Sequence, residues 1–127
     1  MREKKHKPSV YFVTTGSVQG YVKIGMTSGE IKKRIAELQT GNPLKIILLG
    51  WIGCSSRKKA RSLELRLHSM FQNKKKLGEW FDLDANDYGK ILLCDRIENY
   101  HDISKGLRKR MLRASPDMNT HHSPKSI

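Results

Sequence analysis

The sequence predicts an α/β (α+β) domain: a small three-stranded, mostly antiparallel sheet flanked by helices. A β-branched hairpin pattern opens at Val10, and two segments of helical period begin near Ile31 and Ala60. A further apolar run, Leu44 to Ile52, lies between them. A chain of 127 residues accommodates one such domain with tails, because a single core suffices at about 100–150 residues.

Val10-Tyr-Phe-Val-Thr-Thr15 carries the β-branched and aromatic residues of a strand, Gly16 to Gly20 turns the chain, and Tyr21 to Gly25 reads as its partner. From Ser28, a candidate N-cap, the period becomes helical: Ile31, Ile35 and Leu38 share a stripe that Gly41-Asn-Pro43 terminates. Leu44 to Ile52 has the composition of a strand buried on both faces. Ser55 or Ser56 then caps a longer helix running to about Gln72, with Ala60, Leu63, Leu67, Met70 and Phe71 on one side. Asn73 to Gly78 reads as a basic loop and Glu79 to Leu83 as a short extended piece. Asp84 caps a third helix that carries Ile91, Leu92 and Ile97. Beyond Tyr100 no period is sustained and the composition turns polar and basic, which predicts a mobile tail.

Charge is the strongest global signal. A formal net charge of +13 and a pI near 10.0 favour a polyanionic partner, because basic side chains bind phosphate backbones by releasing counterions. A bilayer span needs about 20 apolar residues, and the longest apolar run, Ile46 to Ile52, is far shorter, so no membrane role is expected. Cys54 and Cys94 lie far apart with no second pair, which excludes a zinc-ligand pattern and predicts two reduced thiols. The charged N-terminus is not followed by an apolar leader segment, so an intracellular location is expected.

Five pieces stand in order along the chain: Val10-Tyr11 on the first strand, Lys23-Ile24-Gly25 closing the second, and Arg34 on the first helix. Glu64-Leu-Arg-Leu-His68 on the second helix and Gly78-Glu-Trp-Phe81 follow. Over roughly residues 9 to 83 this order resembles the GIY-YIG endonuclease superfamily, in its phage-type subgroup with Lys-Ile-Gly in place of Tyr-Ile-Gly. The resemblance implies a metal-dependent endonuclease acting on nucleic acid, with DNA the expected substrate and Mg²⁺ (or Mn²⁺) the cofactor. Tyr11 would activate water, Arg34 would stabilise the phosphate and Glu64 would hold the metal. It also implies a nuclease domain over residues 9–98, between a basic tail at 1–8 and another at 99–127.

A phenol is a poor base at neutral pH unless positive charge lies close, and Lys23 on the adjacent strand is placed to supply it. Tyr21 faces the same way as Lys23 and is a candidate substitute for the motif tyrosine. At 100° per residue, Arg34 lies about 60° from Ile31 and Glu64 about 60° from Leu67, so both charges border apolar stripes. An ordinary salt bridge at a helix edge is the plain alternative for each. Ser9 replaces a motif glycine, and the Gly25–Arg34 spacing is a residue long, which makes Lys33 a competitor; Lys33 is predicted to face water. His68, one turn past Glu64, suits a phosphate donor, a metal-shell member, an orienter of Glu64 or a structural histidine. Gly25 reads as a close backbone approach or a bulge, and Trp80 as core or as a base-stacking surface. Lys58, Lys59, Arg61, Arg66, Lys74, Lys75 and Lys76 form the expected nucleic-acid-binding surround, with Arg57 beside them and a second cluster at Arg108–Arg110 and Arg113. The rival functional readings are a catalytically silent DNA- or RNA-binding module of the same fold and a small basic structural protein of a nucleoprotein particle.

Overall fold

The computed structural model describes residues 7–16, 21–93 and 102–114. Strand β1 (Ser9–Thr15) is the axis of the sheet, with antiparallel partners on both sides: β2 (Tyr21–Thr27) and β3 (Ile46–Gly53). A strand with two neighbours buries both faces, and Val10, Tyr11, Phe12 and Val13 are each at most 1% exposed. Alternation then sorts the side chains. Val10 and Phe12 join the large cluster under the helices α2 (Arg57–Met70), α3 (Ala85–Leu93) and α4 (Lys105–Ala114). Tyr11 and Val13 face Ile31, Ile35 and Leu38 of α1 (Ile31–Gln39) on the other side.

Among the described residues the sheet has six strands, in the order β4-β5-β2-β1-β3-β6, where three are expected from sequence. The additional strands are β4 (Lys75–Leu77), β5 (Trp80–Asp82) and β6 (Asp102–Ile103). Each has two or three residues, too few for a period to emerge. Residues 102–114, expected within a mobile tail, form β6 and α4, because Ile103, Leu107 and Met111 recur every four residues and are buried. Their seat is Gly50, at a bulge where β3 slips against β1. A Cβ there would lie 2.5 Å from the Leu107 Cβ and 2.6 Å from the Ser104 Oγ.

Two boundaries also differ. Helix α1 begins after Glu30, not at Ser28, because the Thr27 hydroxyl accepts from the Gly29 N–H and holds Ser28 in a turn. Helix α2 is capped by Ser56, whose hydroxyl accepts from the Lys59 N–H at 3.1 Å, but it ends at Met70. Met70 is 38% exposed, outside the apolar stripe assigned to it, while Phe71 is buried. At α3, Asp84 and Asp87 each accept the other's N–H, a reciprocal cap that also explains how the nearly inaccessible Asp87 carboxylate is tolerated. Cys54 is a buried free thiol; Cys94 and Ile97 lie outside the described residues. Among the described residues, no helix is long and apolar enough to cross a membrane.

Candidate active site

Two groups of polar side chains meet on adjacent residues of β2. In the first, Tyr11 stands opposite Gly25 in the β1–β2 register, and its ring lies over that residue. A Cβ on Gly25 would sit 2.5 Å from the phenolic oxygen and 2.6 Å from the ring carbon that bears it, so only glycine admits this placement. Arg34 reaches the same oxygen from α1, its Nε donating at 3.4 Å, while its Nη1 pairs with Glu37 at 3.0 Å. These hydrogen bonds, the one to Tyr11 foremost, push the Arg34 pKa above its ordinary value. Lys33 is exposed on the next position round the helix.

The second group exists because β5 is short. Its pairing with β2 ends at Lys23, which would leave the outward N–H and C=O of Ile24 without strand partners. Both are taken: the Ile24 N–H donates to the Glu79 carbonyl at 3.0 Å, and the Ile24 carbonyl lies 2.8 Å from His68 Nε2. A carbonyl only accepts, so Nε2 carries the proton and Nδ1 is the remaining ring nitrogen. That bond, with the His68–Phe81 ring contact at 5.0 Å, ties α2 to the sheet edge and brings Glu64 with it. Glu64, His68 and Glu79 each offer a ligand atom, all within 4.8 Å of one another. Lys23 Nζ pairs with Glu79 Oε1 at 2.7 Å.

Glu64 is 6% exposed. Burial raises its pKa above the usual carboxylate range and the Glu79 charge adds to this, against weaker opposition from His68, Arg61 and Lys23. Two carboxylates and an imidazole at this separation form a donor set suited to a divalent cation, whose charge would relieve the mutual repulsion of Glu64 and Glu79. Beside it, Met26, Arg57, Lys58 and Arg61 line an open hollow of about 290 Å³.

The sequence-predicted residues are thus distributed unevenly. Tyr11 touches both Gly25 and Arg34, and Glu64 and His68 come together with Glu79. The cation against the Tyr11 oxygen is Arg34, whereas Lys23, expected in that role, is engaged by Glu79. Tyr21 lies apart, with Lys76 Nζ 6.0 Å from its ring centre. Lys58, Lys59, Arg61, Arg66, Lys75 and Lys76 are exposed. Lys74 is not available to the surround in the same way, because Asp87 and Asp84 hold its ammonium at 2.7 and 3.3 Å. Glu79 is the site residue that sequence reasoning missed. It sits beside an aromatic pair that reads as core, and the only signal for it is the pairing of Lys23 with Trp80.

A search of curated proteins found no match, and neither did a search of solved structures. The T5orf172 domain model matches residues 9–98, which hold both groups of site residues, and the chain belongs to the T5orf172 domain family.

Proposed function

We propose that the protein is a metal-dependent endonuclease of the GIY-YIG type. The observation that carries the reading is the placement of Tyr11, whose phenolic oxygen meets the Arg34 guanidinium and lies over Gly25, one residue along β2 from the Ile24 peptide that His68 of the Glu64, His68 and Glu79 group engages. Phosphodiester hydrolysis requires a group that exchanges a proton with water, a cation for the phosphoryl oxygens and stabilisation of the leaving oxygen. Tyr11 exchanges the proton. Arg34, which already donates to Tyr11, places its remaining N–H groups against the phosphate. Glu64 holds Mg²⁺ or Mn²⁺, with Glu79 and His68 as the other protein donors. Bound there, the ion would act as a Lewis acid on the phosphate. The hollow at Arg57, Lys58 and Arg61 carries the flanking backbone of a nucleic acid, with DNA the preferred assignment.

A second reading is supported by one contact. Lys23 supplies Glu79 with an ammonium partner inside the fold, which is the expected arrangement if the site binds nucleic acid without a metal and does not cut it. The experiment is cleavage of single-stranded, duplex and branched DNA and of RNA with Mg²⁺, Mn²⁺ or EDTA, comparing wild type with Glu64→Ala and Tyr11→Phe. Metal-dependent nicking lost in both variants is the expected result. Salt-sensitive binding with no cleavage under any condition refutes the nuclease assignment and leaves the binding module.

A further inference from the structure

On the face of the sheet opposite Tyr11, a cleft of about 350 Å³ opens between β1–β2, α3 and α4. Its wall is apolar and aromatic, built from Val22, Leu49, Leu83 and Tyr88, and Arg110 and Arg113 line it from α4. The Arg110 guanidinium lies 5.6 Å from the centre of the Tyr88 ring. Among the described residues no carboxylate pairs with either arginine. Two further polar groups at the cleft are already engaged: the Thr14 hydroxyl donates to the Tyr21 carbonyl at 2.7 Å, and the Asp84 carboxylate is held by Lys74 and the Asp87 N–H. An apolar hollow with two guanidinium groups that meet no carboxylate among the described residues suits a ligand with a flat apolar body and an anionic end. The volume corresponds to one small group, not to a duplex. Exposed Lys105 and Lys109 on the same helix extend the positive surface away from the cleft, as a continuing phosphate backbone requires.

We propose that this cleft is a second nucleic-acid site, which accepts one unpaired nucleotide. The base lies on Val22, Leu83 and Tyr88, and its phosphate is held by Arg110 and Arg113. Binding here does not depend on hydrolysis, so it stands or falls separately from the nuclease reading.

The test is fluorescence anisotropy in EDTA, with the full chain titrated against a fully paired duplex and the same duplex carrying a single-nucleotide bulge. Wild type should prefer the bulged duplex by about tenfold, the size expected for one stacked base. Two variants at exposed positions separate the contributions. Ala85→Trp fills the cleft and keeps every charge, so it should abolish the preference while binding to the paired duplex stays. Arg110→Ala with Arg113→Ala should abolish the preference and also weaken binding to both. Equal binding of the two duplexes by wild type overturns the proposal, as does a preference that survives Ala85→Trp or survives the double arginine variant.

Discussion

Replacing Gly25 with alanine tests whether the Tyr11 position matters, without removing any functional group. The added Cβ would lie 2.5 Å from the Tyr11 oxygen and 2.6 Å from its ring carbon, about 0.9 Å inside ordinary contact. Neither β1 nor β2 can yield easily, because their register fixes Tyr11 opposite Gly25 and β1 is paired on both sides. The ring therefore swings away, and the Arg34–Tyr11 distance, already at 3.4 Å, opens beyond hydrogen bonding. Misplacement of this size costs about a hundredfold in rate, and overpacking costs about 1–3 kcal/mol in stability. Cleavage rates under single-turnover conditions and urea unfolding of the same preparation measure both. In a Tyr11→Ala background the ring is gone, so Gly25→Ala should there cost almost nothing in stability, a coupling that the double-mutant cycle reads directly. Wild-type cleavage and stability in Gly25→Ala would show that Tyr11 need not lie over this residue, and the geometric argument for its role would fail.

Glu79→Gln should raise the Mn²⁺ concentration for half-maximal cleavage at least tenfold, and Glu64→Gln should abolish metal-dependent cleavage; a metal titration of activity decides, and an unchanged requirement in Glu79→Gln removes it from the donor set. Combining Lys58→Ala, Lys59→Ala and Arg61→Ala should reduce the slope of log affinity against log salt by about 2–3, because each phosphate contact contributes close to one, and an unchanged slope places the nucleic acid elsewhere. Burial pushes the Tyr88 hydroxyl up to about 12, so the folded state keeps this proton more tightly than the unfolded chain. Its contribution is complete below pH 10 and is lost as pH rises towards 12, by about 3 kcal/mol in total. Alkaline urea titrations should show that loss reduced in Tyr88→Phe.

What the sequence disclosed follows from the range of each signal. The hairpin, the Ser56 cap and the Asp84 cap are written in neighbouring residues and were readable there. Helix α4 has a local signal too, in the spacing of Ile103, Leu107 and Met111, but basic residues surround it, and its partner surface at Gly50 is distant in sequence. The contact of Tyr11 with Arg34 was approachable from helical phase, which places Arg34 at the stripe edge and Lys33 in water. Glu79 had no such route. Its place beside Glu64 and His68 comes from the register of a three-residue strand against β2, and neither period nor propensity encodes that register. The same gap explains why Lys23 reads from sequence as the cation for Tyr11: on sequence spacing both lie on one face of the hairpin, and nothing local reveals that Glu79 reaches the ammonium first.

The tripeptide Lys23-Ile24-Gly25 gains a physical reading from these contacts, with a different task for each residue. Lys23 uses its side chain, against Glu79. Ile24 uses its backbone, which accepts from His68 and donates to the Glu79 carbonyl, so that α2 and the turn before β5 are both referred to one peptide unit. Gly25 contributes the absence of a side chain under Tyr11. The carboxylate group and the phenol–guanidinium group therefore cannot drift independently, since each is anchored to consecutive residues of a paired strand. Such rigidity is what a site needs if its groups must hold position against a charged phosphate. It follows that substitutions of the Ile24 side chain by other β-branched apolar residues should be tolerated, because its site role runs through the main chain, whereas a change at Gly25 should not.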